Sequence, residues 1–184
     1  RRINEDKPLD DLPGIASRDG AGINIHPPAP PILDLDSLPF PARDLLNIES
    51  YIKTAAPFGR TFKHRRNTSM STSRGCPARC IFCSSANFWG HRYRARSPEN
   101  VLDEIGHLIN EHGIREIHFV DDNLTLNRDR AAAIFQGIID RGYDIAWATP
   151  NGVALWRLDE DLIKLMKKSG CYELTLAFES GDPY

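Results

Sequence analysis

Three of the four cysteines in this 184-residue chain fall within eight positions. Cys76, Cys80 and Cys83 stand in the segment RGCPARCIFCSS as C-x-x-x-C-x-x-C. Thiolates clustered in this way hold zinc, other soft metals or iron–sulfur centres. A structural zinc ion takes four protein ligands, and His64 or His91 is available to complete a Cys3His set. Such sites usually arrive as two ligand pairs across a longer spacer, however, not as three cysteines in one loop. A redox C-x-x-C leaves Cys76 unexplained. Three thiolates on a four-iron cluster use all three cysteines and leave one iron without a protein ligand. An open coordination position marks a catalytic metal, so the missing ligand is where a substrate or cosubstrate binds. Cys171 is a candidate fourth ligand, but it opens a predicted strand far along the chain and reads better as a buried, inert thiol.

The elements that must carry this loop are legible downstream of it. SPENVLDEIGHLINEHG (97–113) has Ser97 as N-cap, Pro98 at the first helical position and Gly113 as its stop. Val101, Leu102, Ile105, Leu108 and Ile109 recur there at helical spacing. EIHFV (116–120) reads as a strand and DRAAAIFQGIIDRG (129–142) as a helix. DIAWAT (144–149) is a strand, DEDLIKLMKKSG (159–170) a helix and YELTLAF (172–178) a strand. With TSMSTS (68–73) ahead of the cysteines, strands and helices alternate from a first strand to a fourth. That alternation predicts an α/β fold with parallel strands, either a barrel or an open doubly wound sheet. A parallel sheet gathers its chemistry at the carboxyl ends of its strands. Those ends carry the cysteine loop, Asp121-Asp122-Asn123, Thr149-Pro150-Asn151-Gly152 and Glu179-Ser180-Gly181-Asp182. Four polar strand ends on one rim favour a site, although Asp122-Asn123 and Glu179-Ser180 also suit plain turns. Asn151 fits either the site or a bond within its own loop.

The preceding 66 residues differ in character. They hold nine of the thirteen prolines, and proline removes donors and disfavours helix at the residue before it. GIASRDGAGINI (14–25) reads as a β-hairpin turning near Asp19-Gly20. PARDLLNIESYI reads as a short helix with Leu45, Leu46 and Ile48 on its apolar side. A net charge of −2 gives no global case for nucleic acid or an acidic membrane. The basic stretches GRTFKHRR (59–66) and HRYRAR (91–96), with Phe62 and Tyr93 interleaved, invite a nucleic-acid reading. Pairing with acids or exposure to water is the simpler account. No apolar run approaches the roughly 20 residues that span a bilayer, and the first residues lack the apolar core of a secretory signal. Clustered reduced thiols then point to the cytoplasm. Trp89 and Tyr93 suit a cover over the cysteine loop or the lining of a cofactor face, and Trp147 and Trp156 suit core or rim packing.

The cysteine motif, on the loop after the first strand of a βα repeat, resembles that of the radical S-adenosylmethionine (SAM) enzymes over roughly residues 67–184. FWGHRYRARSPENVLDEI, IHFVDDNLTLN and FESG are similar to the subset that also uses cobalamin. LDSLPFPARDLL (35–46) resembles the connector that follows the cobalamin-binding domain in that subset. The resemblance implies part of a (βα)6-type, TIM-like barrel at 67–184, ending after its fourth strand. A Pro-rich connector with a hairpin (1–66) would follow a cobalamin-binding domain that lies outside the chain. It implies a [4Fe-4S] cluster on Cys76, Cys80 and Cys83, with SAM chelating the open iron and cleaved to a 5′-deoxyadenosyl radical. Phe82 would pack near the adenine, unless it is simply core packing. Asp121-Asp122 stands where many relatives have Gly-Gly-Glu, so either Asp, or Asn123, would receive the SAM amino group. Glu179 and Ser180 would contact the ribose or methionine part, with Asn151 beside them. The implied reaction is methyl transfer from cobalamin to an unactivated carbon of a small-molecule or peptide substrate, fed by an external electron donor. A non-methylating radical reaction (ring formation or methylthio transfer) and a zinc-stapled nucleic-acid-binding module are the alternatives.

Overall fold

The computed structural model describes residues 5, 9, 12–20, 22–54, 61–178 and 180–181. The chain divides into two compact units, Arg1–Leu33 and Asp34–Tyr184. In the first, β1 (Ala16–Asp19) and β2 (Gly22–Ile25) form the antiparallel hairpin read from the sequence, with Ala16 opposite Ile25 and Asp19 opposite Gly22.

The second unit starts with a connector. Asp34 nucleates a turn by accepting the Asp36 amide at 3.0 Å, as a short acidic side chain does near its own backbone. The single helix expected at 41–52 is two pieces, a 3-10 turn at Arg43–Leu45 and helix α1 at Ile48–Thr54. Leu46 between them is extended (φ −105°, ψ 146°). Leu45 and Leu46 are exposed, so they do not form the expected apolar side.

Four strands make one parallel sheet in the order β3 (Asn67–Met70), β6 (Glu116–Phe119), β7 (Ala146–Ala154), β8 (Cys171–Ala177). Order in space equals order in the chain. A doubly wound sheet reverses its order at a switch point, so the sheet is of the singly wound, barrel type. Helices α3 (Pro98–His112), α4 (Arg128–Asp140) and α5 (Glu160–Lys168) connect successive strands. Each starts on a side-chain cap. Ser97 accepts the Asn100 amide, Asn127 that of Arg130, and Asp159 that of Leu162, satisfying donors the first turn leaves open.

The core lies between sheet and helices. Ile117, Phe119 and Trp147 meet Ile105, Leu108, Ile134, Phe135, Leu162 and Met166. Trp147 stacks on Phe135 at 4.8 Å and donates its indole N–H to the Ser169 carbonyl at 3.0 Å. Alternation along β6 puts Glu116 and His118 on the other face. There Glu116 accepts the amides of Lys63 (2.7 Å) and His64 (2.6 Å), the Tyr172 hydroxyl (2.7 Å) and His118 Nε2 (2.7 Å). Ala146 and Ala148, opposite Glu116 and His118 on β7, are small enough for Tyr172 to reach across from β8. Of the basic stretches, Arg66 pairs with Glu49, and Arg96 with Glu104.

The strand expected at 68–73 is divided. After Met70 the chain leaves the sheet, and β4 (Ser73–Arg74) pairs antiparallel with β5 (Arg94–Ala95). The cause is Asp121 at the end of β6. Its carboxylate takes the Thr72 amide (3.1 Å) and the Thr72 hydroxyl (2.7 Å). It therefore substitutes for the ladder at the point where the cysteine loop departs.

Candidate functional site

Cys76, Cys80 and Cys83 line one cavity of about 360 Å³ at the carboxyl ends of the strands. Gly75 makes the loop possible. Its φ is +84°, and a Cβ there would stand 2.4 Å from the Arg92 carbonyl oxygen. Only glycine tolerates both the left-handed backbone and that approach. Cys80 and Cys83 are exposed and Cys76 is half-buried, all as free thiols. The short helix α2 (Ser85–Trp89) follows the third cysteine.

The opposite wall comes from β6 and β7. Asp122 and Asn123 line the cavity at the end of β6. Asp122 Oδ2 is buried with no hydrogen-bond partner among the described residues, and Ser85 Oγ is in the same condition. A buried, unsatisfied carboxylate oxygen is costly, and here it sits in the cavity wall. Asp121 does not line the cavity. Besides Thr72 it accepts the Ser73 hydroxyl at 2.5 Å. Arg130 packs against the same junction, donating to the Thr72 carbonyl at 2.9 Å and the Arg96 carbonyl at 2.6 Å. Burial pushes the Asp121 carboxyl above its usual range, against the Ser73 and Thr72 donors and the Arg130 charge. Asp121 is a brace for the loop, and Asp122 is the aspartate beside the cysteines.

On β7 the expected strand 144–149 runs on to Ala154 through a bulge between Thr149 and Val153. Pro150 is tolerated there because a bulge needs no ladder donor. The bulge turns Asn151 toward the rim, where it lines the cavity and donates from Nδ2 to the Val120 carbonyl at 2.8 Å. Its partner is thus a neighbouring strand, not its own loop. Gly152, Val153, Ala154 and an exposed Trp156 complete this side. Gly152 belongs to the rim segment expected from the sequence, whereas Val153, Ala154 and Ser85 are site residues that the sequence does not single out. A proline followed by Asn-Gly inside an apolar run was the signal for the bulge. Phe82 lines the cavity and is exposed, so it is not core packing. Ser180 is not among the described residues lining the cavity, and Glu179 lies outside the described residues.

The residues fit a thiolate-bound cluster better than a single zinc ion. Among the described residues no three Cys, His, Asp or Glu side chains converge on one metal position. The His64 amide is tied to Glu116 at the amino end of the sheet, and His91 contacts the Ala78 carbonyl at 3.2 Å. Cys171 is at the start of β8, the end away from the cavity, and burial pushes its thiol up to about 11. Three cysteines on one cavity, with no fourth cysteine and no histidine among its described lining residues, define a class: a βα-repeat protein whose first loop suits an incompletely ligated metal cofactor.

The chain belongs to the radical SAM superfamily, whose family model matches residues 70–184. It is 40% identical over 193 residues to the cytidylyl-2-hydroxyethylphosphonate methyltransferase of Streptomyces wedmorensis, covering 94% of this chain and 36% of that protein. It is 34% identical over 169 residues to an anaerobic magnesium-protoporphyrin IX monomethyl ester cyclase of Cereibacter sphaeroides, covering 91% and 26%. Among solved structures it resembles the radical SAM methyltransferase TsrM of Kitasatospora setae, with a TM-score of 0.74 at 21% identity over 99% of this chain and 35% of that one. It also resembles the cobalamin-dependent SAM radical enzyme OxsB, with a TM-score of 0.69 at 20% identity over 97% and 26%. The chain therefore spans about a third of the length of the methyltransferase that it matches.

Proposed function

We propose that the full-length protein is a cobalamin-dependent radical SAM methyltransferase acting on an unactivated carbon. The observation that carries the reading is one cavity shared by three cysteines, with no fourth cysteine or histidine among its described lining residues, opposite a carboxylate oxygen of Asp122 that has no hydrogen-bond partner among them. When bound, a [4Fe-4S] cluster supplies the electron that cleaves the sulfonium of SAM, and cobalamin supplies the methyl group. Cys76, Cys80 and Cys83 hold three irons. Asp122 Oδ2 receives the SAM ammonium in a charge-assisted hydrogen bond. The exposed Phe82 ring offers a face to the adenine. Asn123, Asn151 and Ser85 supply polar contacts on the same wall, and Glu179 and Ser180 extend it toward the ribose or methionine part. Support for methyl transfer comes from the methyltransferase relative at 40% identity. Ring formation is the second reading, favoured by the cyclase relative at 34%. The substrate is a small molecule or peptide, reduction comes from an external donor, and three exposed or half-buried free thiols suit a reducing cytoplasm. Among the described residues no helix is long and apolar enough to cross a membrane.

The test is anaerobic reconstitution of the full-length protein with iron and sulfide, then reduction in the presence of SAM labelled in its methyl group. Iron with acid-labile sulfide, loss of both in Cys80→Ala, release of 5′-deoxyadenosine and label in the product are expected. One zinc and no iron would overturn the radical reading. Release of 5′-deoxyadenosine with an unlabelled product would replace methylation by ring formation.

A further inference from the structure

A second and larger cavity, of about 590 Å³, lies along the free edge of β3 and shares no lining residue with the cysteine cavity. One wall is apolar and comes from the connector, chiefly Leu38, Phe40, Tyr51 and Ile52. The other presents Ser69 and Ser71 together with Arg43, Arg74 and Arg96. Against these three guanidinium groups the lining contains one carboxylate, Glu104.

The hydrogen bonds show which cations are committed. Arg96 is: it donates to Asn100 Oδ1 at 2.6 Å, to the Asn100 carbonyl at 3.1 Å and to Glu104. Arg43 gives Nη1 to Glu104 Oε1 at 2.7 Å, and its Nε and Nη2 have no acceptor among the described residues. Its side chain is only 9% exposed. Arg74 has no side-chain acceptor among the described residues and lies over the Trp89 ring at 4.9 Å. Arg43 is buried and Arg74 half-buried, and guanidinium groups drawn out of water in excess of carboxylates call for a counter-charge. Water can satisfy their N–H groups but cannot neutralise them.

We propose that this cavity binds a small organic anion with an apolar body. The carboxylate, phosphate or sulfonate end meets the free forks of Arg43 and Arg74, with the Ser69 hydroxyl on the same wall, and the body rests on the connector wall; the Ser71 hydroxyl is already given to the Ser73 carbonyl at 3.0 Å. A planar fork suits bidentate recognition of such groups, and the volume falls in the range of small-molecule sites. The proposal does not depend on the chemistry at the cysteines.

Equilibrium dialysis of the full-length reconstituted protein against two probes tests it. One is 1-anilinonaphthalene-8-sulfonate and the other is its uncharged counterpart N-phenyl-1-naphthylamine. The sulfonate should bind at one site at least about tenfold more tightly than the neutral probe. Arg74→Gln should raise its Kd about tenfold, with iron content and melting temperature unchanged, because Arg74 makes no buried pair. Arg43→Lys, which keeps the charge beside Glu104 but loses the free fork, should also weaken the sulfonate and leave the neutral probe unaffected. Equal affinity for the two probes would overturn the proposal, and so would an unchanged sulfonate Kd in Arg74→Gln. If Arg74→Gln disturbs iron content, Arg43→Lys on the connector decides: an unchanged sulfonate Kd there overturns the proposal.

Discussion

Two adjacent aspartates just past β6, the second in a bend of the chain, do different work. Asp121 is spent on the Thr72 and Ser73 donors, whereas Asp122 keeps one oxygen unpartnered in the cavity wall. Asp122→Asn should therefore leave iron content unchanged and weaken SAM binding. A hydrogen bond to a charged group contributes about 1.5–3 kcal/mol, which corresponds to roughly ten- to a hundredfold in Kd. Equilibrium binding of SAM to the reconstituted full-length variant measures it, and an unchanged Kd would remove Asp122 from the SAM site. Asp121→Asn should behave otherwise, lowering melting temperature and iron occupancy together, since it loosens the stretch from which the cysteines depart.

At the scale of elements, the loop depends on one backbone approach. Gly75→Ala would force a methyl group onto the Arg92 carbonyl at 2.4 Å and place alanine at φ +84°. Backbone neighbours cannot yield as a flexible side chain can. The variant should fold, with far-UV circular dichroism and the helices intact, yet fail to retain iron after reconstitution. Normal iron content would show that the loop can reseat. The sequence revealed these elements unevenly, for physical reasons. Helices α3, α4 and α5 were readable to within about two residues, because Ser97, Asn127 and Asp159 cap them locally and Gly113, Gly142 and Gly170 stop them. The division of 68–73 into β3 and β4 was not readable. It depends on the Asp121 carboxylate, 49 positions away from Thr72. The same holds for β7, whose Pro-Asn-Gly looks like an ending until a partner strand carries the pairing past the bulge. The three cysteines were legible by spacing alone, but the choice between Asp121 and Asp122 needed their hydrogen bonds.

At the scale of the whole molecule, Glu116 ties the end of the connector to the amino end of the sheet. Burial pushes its carboxyl up, but the Tyr172 hydroxyl, His118 and the His64 and Lys63 amides outweigh burial and hold it below its ordinary range. A carboxyl lowered on folding adds stability that is fully present above its unfolded value and is lost as pH falls through the folded one. Asp121, raised by burial, acts in the opposite sense: its share of stability is greater in acid and shrinks as pH rises toward its folded value. Comparison with Glu116→Gln isolates the first effect. That variant should melt at lower temperature at about pH 7 and lose less further stability than the parent on titration to about pH 3. Melting curves across that range measure it, and parallel pH profiles would assign the acid limb to other groups. The agreement between spatial and chain order in the sheet has one more consequence. Each strand of the four-stranded sheet pairs with the member of that sheet made before it, so the sheet can assemble vectorially as the polypeptide leaves the ribosome. The cysteine loop emerges before β6, and its Asp121 brace arrives with the end of that strand. The cysteine loop of the nascent chain is thus braced before β7, which supplies the facing wall of the cavity, and β8 are made.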